Sequence, residues 1–333
     1  MGNQPSFQEQ PSFQQFDYRI RPNKSTERRM FNEAFRRLSS FEAVENYRYI
    51  GFGSTTFTDF ILFHRALNIC DMISIEKRED YRARFDFNQP FNCVRVEYGD
   101  SNAVLPKLPW DKRAIVWLDY DGRLKASVLR DVAFISTQAR SGSMLIITVN
   151  ANGRRSYRGS NYKRLEEQWL SDFKEDLELD VLPGDIRGTN LEGDEMAKTC
   201  RRFILNEISQ ILSRRNNLNS PEHMMNYQPL FNFVYRDGAR MLTVGGIFYE
   251  ASEGALLHRC QFDQLEYVSA GNQDFYEIKV PVMTLRERHY LDQRLPKGAS
   301  HEAVDRLGLT HDEVANYVRL YRYCPSFAEI ELS

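Results

Sequence analysis

Glycines and acids recur in the first half of the chain at points where short apolar runs end. Gly51 and Gly53 stand at the end of the run YRYIG, Glu76 closes MISIE, and Asp100 follows CVRVEY. Glycine between a strand and a helix lets the backbone turn sharply and approach a ligand. A carboxylate about twenty residues further on can accept hydrogen bonds from both hydroxyls of a ribose. An acid after the next strand can accept from an adenine amino group, so the spacing predicts a nucleoside-binding site.

An open, mostly parallel sheet is needed to bring these residues to one edge. Apolar runs alternate with helical stretches, which is typical of βαβ units. The runs AIVWLDY and MLIITVN are continuously apolar, as strands covered on both faces must be. The predicted strands are 47–51, 72–76, 93–98, 114–120 and 144–149, with helices over 57–67 and 124–139. The sequence therefore predicts a doubly wound α/β fold that binds its ligand at the carboxyl ends of the strands.

An antiparallel hairpin is predicted later in the chain, over 231–249. Its two apolar runs, FNFVY and RMLTVGGIFY, are separated by RDGA. Asp237-Gly238 can supply the positive φ angles that a tight hairpin turn needs.

Taken together, GFGS, the acid after the second strand, GDS after the third and the acid-rich end of the fourth resemble the motif series of class I S-adenosylmethionine-dependent methyltransferases. The hairpin is similar to the antiparallel sixth and seventh strands of that family. The resemblance implies bound S-adenosylmethionine. It places Gly51, Gly53 and Ser54 beneath the amino-acid end of the cofactor, Glu76 on its ribose, and Asp100 and Ser101 beside its adenine.

The end of the fourth strand bears on the acceptor, which the sequence leaves open as oxygen or nitrogen. Asp119-Tyr120-Asp121-Gly122 lacks the prolines that shape a slot for a flipped-out base in amino-methylating nucleic-acid enzymes of this fold. It resembles the DxD segment of metal-assisted O-methyltransferases, which implies catalytic Asp119 and Asp121 and a Mg²⁺ ion held by these acids and Asn150. The alternative is that Asp121 caps a helix.

The glycine motif departs from the family pattern. The chain reads Tyr-Ile-Gly-Phe-Gly-Ser, without a third glycine or an acid before the first. An alternative function therefore stays open, in which the fold is a catalytically inactive module that binds a nucleotide, a nucleic acid or a protein partner. Residues 155–228 and 300–323 are the candidate surfaces for such partners.

An amphipathic helix is predicted over Lys24–Phe41, with Ser25 or Thr26 as its cap. Lys24, Arg28 and Arg29 at its start could close over a cofactor carboxylate or contact a phosphate, but a solvated helix start is the favoured interpretation.

The predicted organisation is a poorly ordered tail (1–23), a methyltransferase-like domain (24–250) with a helical insert at about 155–228, and a C-terminal helical appendage (251–333). Within the appendage, Thr284 with Glu287 and Thr310 with Glu313 match capping boxes. The helical pair near 300–323 resembles a helix-turn-helix. Acids at the start of its second helix favour a packing role instead.

Composition limits the class of protein. The net charge of −2 argues against a surface that grips nucleic acid throughout. No apolar run approaches the length needed to span a bilayer, and a cytoplasmic protein without membrane contact is expected. The five cysteines include no CxxC pair, so they are interpreted as reduced structural thiols.

Overall fold

The computed structural model describes residues 21–156, 159, 161–268, 274–297 and 306–326. Most of the predicted tail, residues 1–20, lies outside this part of the chain. The helices and strands, in chain order, are α1 Pro22–Arg36, β1 Arg48–Gly51, α2 Thr58–Leu67, β2 Asp71–Glu76, α3 Arg82–Asn88, β3 Val94–Tyr98, α4 Ser101–Val104, β4 Ala114–Arg123, α5 Ala126–Gln138, β5 Met144–Asn150, α6 Tyr162–Asp176, α7 Glu195–Asn216, β6 Met225–Asp237, β7 Ala239–Glu250, α8 Gly254–Arg259, β8 Tyr276–Ile278, α9 Leu285–Asp292 and α10 His311–Leu320.

One sheet contains all eight strands of the described part of the chain, in the order β3-β2-β1-β4-β5-β7-β6-β8. β1 to β5 are parallel, β7 is antiparallel to both β5 and β6, and β8 adds to β6 in parallel. The order reverses between β1 and β4, where open α/β sheets bind their ligands. The predicted doubly wound, Rossmann-like methyltransferase fold with an antiparallel hairpin is therefore confirmed.

The hairpin turn forms where the sequence predicted it. Asp237 and Ala239 face each other across Gly238, whose φ is +99°. A side chain at this φ would be strained, so glycine suits the turn.

Alternate residues of the central strands enter two separate cores, because successive side chains of a strand point to opposite faces. Ile115 and Trp117 of β4 join one cluster with α1 and α2, while Val116 and Leu118 join the other with α5 and α7. The ring of Phe31, on α1, lies edge-on to Trp117 at a centroid distance of 4.8 Å. The sheet is thus covered on both faces, as its apolar strands predicted.

The helix before β1 differs from its predicted form at both ends. α1 begins at Pro22, and its N-cap Arg21 makes no side-chain capping bond, so the predicted cap by Ser25 or Thr26 is wrong. Proline at the first helical position is preorganised for a helix, and its missing N–H removes one of the first-turn donors that would need a partner. The helix ends at Arg36 and continues as a 3₁₀ turn to Ser40.

The start of α1 is tied to elements far along the chain. Asn23 Nδ2 donates to the backbone oxygen of Arg236, at 3.0 Å, and to Asp237 Oδ1, at 2.9 Å. Asp237 Oδ2 accepts from the backbone N–H of Lys24 at 2.9 Å, and Asn23 Oδ1 accepts from Val280 N at 2.7 Å. The helix start is therefore fixed to the hairpin turn and to the chain just after β8.

The C-terminal helices pack into the same core as α1. Both predicted capping boxes are present, with Thr284 and Thr310 as the N-caps of α9 and α10. Val314 and Tyr317 of α10 are buried in this cluster, in line with a packing role. Residues 298–305, the first part of the helix-turn-helix interpretation, lie outside the described chain. The proposed domain boundaries stay a prediction.

Among the described residues, no helix combines the length and the apolar character that crossing a membrane requires.

Candidate functional site

A chain of hydrogen bonds joins the glycine loop after β1 to the acid that ends β2. The backbone N–H of Gly53 donates to Ser74 Oγ at 2.9 Å, and Ser74 Oγ donates to Glu76 Oε1 at 3.0 Å. Ser74 is fully buried and Glu76 is 7% exposed. The structure therefore brings Gly53 and Glu76 together at the carboxyl edge of the sheet, through a serine that the sequence analysis did not single out.

Burial raises the pKa of Glu76 to about 7, although hydrogen bonds from Ser74 and from the backbone of Ser54 and Gly53 oppose the shift. Its carboxyl group therefore titrates in the neutral range. Hydrogen-bond donors brought by a ligand, such as ribose hydroxyls, would favour the charged form.

Both glycines of the loop are required by packing within the protein. A Cβ on Gly51 would lie 2.9 Å from the Tyr49 hydroxyl oxygen and 3.1 Å from the Trp117 carbonyl oxygen. A Cβ on Gly53 would lie 2.5 Å from a ring carbon of Phe57. The sequence analysis explained these glycines by the close approach of a ligand. In the structure, atoms of the protein itself already lie close to both Cβ positions.

The residue after these glycines offers an unsatisfied polar atom. Ser54 has a φ of +53°, and its Oγ is buried without a hydrogen-bond partner among the described residues. A buried polar atom without a partner is costly. A polar group of a ligand above the loop would remove this cost, so Ser54 fits the predicted cofactor position.

Replacement of Gly53 by alanine is expected to lower the free energy of unfolding by about 1–3 kcal/mol, the usual effect of overpacking. The added carbon would meet the buried Phe57 ring and Ser74 Oγ at 2.6 Å. Urea unfolding measures the change. Gly184→Ala is the matched control, because no atom of the described residues lies within 4 Å of its Cβ position. Equal midpoints for the two variants would contradict the packing argument.

Asp100 lies at the same edge, after β3, and is the N-cap of α4. Its Oδ1 accepts from Asn102 N at 3.2 Å, and its Oδ2 is 2.8 Å from Lys77 Nζ. Lys77 is the main cause that lowers the pKa of Asp100. The carboxylate is about half exposed, with 44% of its side-chain surface accessible. It therefore lies at the rim of the edge, not in its interior.

Ser101 is held by a buried acid that the sequence analysis missed. Asp131 Oδ2 accepts from Ser101 Oγ and from the Tyr120 hydroxyl, each at 2.5 Å. Asp131 Oδ1 accepts from Asn102 Nδ2 at 2.5 Å. Burial raises the pKa of Asp131, although these hydrogen bonds act to lower it. Ser101 is therefore fixed in orientation by α5, and its hydroxyl proton is committed to Asp131.

A buried ion-pair cluster lies at the end of β4. Lys24 of α1 is 1% exposed, and its Nζ is 2.9 Å from Asp119 Oδ1 and 2.8 Å from Glu27 Oε2. The same ammonium donates to the Tyr235 hydroxyl at 3.0 Å and lies 4.2 Å from the centroid of the Trp117 ring. Burial is the largest cause that raises the pKa of Glu27, while Lys24 lowers it. We call Lys24, Glu27, Asp119 and Tyr235 the buried lysine cluster.

A second ion pair lies beside this cluster. Arg28 Nε is 2.9 Å from Asp59 Oδ1, and the Tyr49 hydroxyl donates to Asp59 Oδ2 at 3.2 Å. Arg28 is 5% exposed. The interpretation of the helix start as solvated is therefore wrong for Lys24 and Arg28, because their carboxylate partners lie inside the fold. Arg29 is exposed, and its Nη1 donates to the Cys324 carbonyl oxygen at 3.0 Å.

The structure gives no support for the predicted Mg²⁺ site. Asp119 Oδ1 is already paired with the ammonium of Lys24 at 2.9 Å. Asn150 Oδ1 accepts from Asn152 N at 2.9 Å, and Asp121 is exposed on the bulged end of β4. The alternative role of Asp121 as a helix cap is also wrong, because Lys125 is the N-cap of α5.

Comparison with known proteins identifies a family for this chain. A family model described as "Putative O-methyltransferase" matches residues 16–332. No curated protein matches the chain.

Solved structures with likeness to this chain include several methyltransferases. Human N-acetylserotonin methyltransferase in complex with SAM shows 9% identity and a TM-score of 0.34, over 63% of this chain and 50% of that one. Trm1 from Pyrococcus horikoshii with S-adenosyl-L-methionine shows 11% identity and a TM-score of 0.44, over 70% and 57%. YcgJ from Bacillus subtilis shows 11% identity and a TM-score of 0.33, over 66% and 99%. The chain spans half the length of the first of these structures.

The strand order and the family match place the chain in the class I S-adenosylmethionine-dependent methyltransferases. Within that class, it belongs to the family described as putative O-methyltransferases.

Proposed function

We propose that this protein transfers the methyl group of S-adenosylmethionine to an oxygen atom of its acceptor. The family description supports an O-acceptor. The observation that carries the proposal is the buried chain from Gly53 through Ser74 to Glu76, beside the unsatisfied hydroxyl of Ser54. An acid held at this point can accept from both ribose hydroxyls.

The residues at the edge would each hold a different part of the cofactor. Glu76 would hold the ribose, with Gly51, Gly53 and Ser54 beneath the amino-acid end. Asp100 and Ser101, which lie at the next strand end, would flank the adenine. The cofactor supplies an activated methyl group on its sulfur, and the protein supplies orientation for in-line attack, which can account for a large part of the rate.

The acceptor would approach from the end of β4. Asp121 is exposed there, and Asp119 is held by Lys24 in the buried lysine cluster. A carboxylate at this place would accept the proton of an acceptor hydroxyl as the methyl is transferred, and Asp121 and Asp119 are our candidates for that role. Because Lys24 already supplies a positive charge to Asp119, the proposal does not include Mg²⁺.

Calorimetric titration with S-adenosylmethionine and S-adenosylhomocysteine tests the proposal. We expect the wild-type protein to bind both, and Glu76→Ala to weaken binding by about 1.5–3 kcal/mol, the range for a hydrogen bond to a charged group. Glu97→Ala is the matched control, since this acid lies on the neighbouring β3 and pairs with the exposed Arg95.

Two results would contradict the proposed function. If the wild-type protein binds neither compound, the proposed cofactor is wrong. If Glu76→Ala and Glu97→Ala reduce the affinity equally, the effect comes from overall charge, and the assignment of Glu76 to the ribose fails.

A further inference from the structure

Two cysteines and a histidine meet at the amino edge of the sheet, on the side opposite the candidate cofactor site. His64 lies on the last turns of α2, Cys70 directly precedes β2, and Cys93 directly precedes β3. Their ligand atoms all lie within 4.8 Å of one another. Cys70 is exposed, and His64 and Cys93 are partly buried, so solvent ions can reach the group. Neither the cofactor nor the acceptor uses these residues in the proposed function.

The spacing of the three atoms agrees with one metal coordination sphere. His64 Nδ1 is 3.7 Å from Cys70 Sγ and 3.6 Å from Cys93 Sγ. In a tetrahedral zinc site, Zn–N bonds of about 2.0–2.1 Å and Zn–S bonds of about 2.3 Å require an N···S separation of about 3.5 Å and an S···S separation of about 3.8 Å. The two N···S distances therefore already match a zinc site, and the sulfur atoms, at most 4.8 Å apart, would have to approach each other by no more than about 1 Å.

The surroundings hold the imidazole in place and supply oxygen atoms. The Phe91 ring lies 4.3 Å from the centroid of the His64 ring. His64 Nδ1 is 2.9 Å from the Ile69 carbonyl oxygen, and Cys70 Sγ is 3.4 Å from the Asn68 carbonyl oxygen. The contact with the Ile69 oxygen requires a proton on Nδ1, so metal binding at Nδ1 needs the other tautomer, with the proton on Nε2, and replaces this hydrogen bond.

We propose that His64, Cys70 and Cys93 bind one Zn²⁺ ion, with water or a neighbouring carbonyl oxygen as the fourth ligand. Two thiolates and an imidazole are ligands that zinc prefers over harder cations. Each cysteine releases its thiol proton to the solvent when the metal binds. The ion would join the end of α2 to the starts of β2 and β3, and so brace the helix that follows the glycine loop.

Titration of the reduced, full-length protein with Co²⁺, followed by displacement with Zn²⁺, tests the proposal. We expect one Co²⁺ per chain, with intense thiolate-to-metal charge-transfer absorption and the visible bands of tetrahedral cobalt. Cys70→Ser and Cys93→Ser should each remove about half of the charge-transfer absorption. Each should also weaken Zn²⁺ binding by at least about 10–100-fold. Mutation of a residue that only hydrogen-bonds to a metal ligand already lowers the affinity by this factor.

Cys324→Ala is the matched control, because this buried cysteine lies outside the group. It should leave the cobalt spectrum unchanged. Cys70 is exposed, so Cys70→Ser should keep the far-ultraviolet circular dichroism of the wild type, and His64→Gln provides a third variant that keeps both thiols. A cobalt spectrum without thiolate bands overturns the proposal. Equal metal affinity in wild type and Cys70→Ser also overturns it, as does a Cys70–Cys93 disulfide in a chain that binds no metal when reduced.

Discussion

Lys24→Met is expected to lower the free energy of unfolding by about 3–5 kcal/mol, the usual result of removing one partner from a buried ion pair. Its ammonium lies within 2.9 Å of carboxylate oxygens on Asp119 and Glu27. Methionine fills a similar volume but leaves two carboxylates facing each other without a cation. Urea unfolding, monitored by tryptophan fluorescence, measures the change.

Lys77→Met is the matched control. Lys77 is also paired with an aspartate at 2.8 Å, but its side chain is 76% exposed and its partner Asp100 is 44% exposed. Exposed pairs contribute about 0–1 kcal/mol. A double variant, Lys24→Met with Glu27→Gln, should recover part of the loss because it removes one of the stranded charges. If both single variants unfold at the same urea concentration, the buried lysine cluster does not stabilise the fold.

Glu76→Gln is expected to stabilise the ligand-free protein at pH 8 by about 3 kcal/mol, while it weakens cofactor binding. Burial raises the pKa of Glu76 from 4.5 to about 7 in the folded protein. Between these pH values the folded state binds more protons than the unfolded chain, so wild-type stability falls as the pH rises through this window. Each pKa unit corresponds to about 1.4 kcal/mol, and glutamine avoids the charged form altogether.

Denaturant unfolding at several pH values between 4 and 8 measures this effect. The advantage of Glu76→Gln should be absent near pH 4, grow through the window and level off above pH 7. Glu97→Gln, on the exposed part of β3, should follow the wild-type curve throughout. Parallel curves for wild type and Glu76→Gln would mean that the buried carboxyl group has an ordinary pKa.

Much of the fold could be predicted from the sequence. Buried parallel strands require continuous apolar runs, and AIVWLDY and MLIITVN became β4 and β5 at nearly the predicted bounds. The hairpin followed from the turn preference of Asp237-Gly238. β8 could not be predicted in this way, because a three-residue strand is too short to show a period.

The predicted acids at the strand ends were placed correctly at one edge, but their partners were not predictable from local pattern. Charged residues at a helix start are usually solvated, and only the folded sheet shows that Lys24 meets Asp119. One signal was present in the sequence. Lys24, Glu27 and Phe31 follow the three- and four-residue spacing of one helix face, and the phenylalanine marks that face as apolar. Asp131 gave a similar signal, as an acid between Val128 and Val132 on the buried face of α5.

The attachment of α1 to the β6–β7 turn has a consequence for synthesis on the ribosome. Asn23 bonds with residues 213 and 214 positions later in the chain. The start of the helix therefore leaves the ribosome long before its partners in the hairpin exist, and such distant contacts form slowly. Until the hairpin has been translated, Lys24 cannot reach Tyr235, so the start of this helix lacks the partners that the hairpin supplies. During this interval α1 can contact only α2 and the early strands, and the apolar surface that β6 covers in the folded protein stays accessible to chaperones.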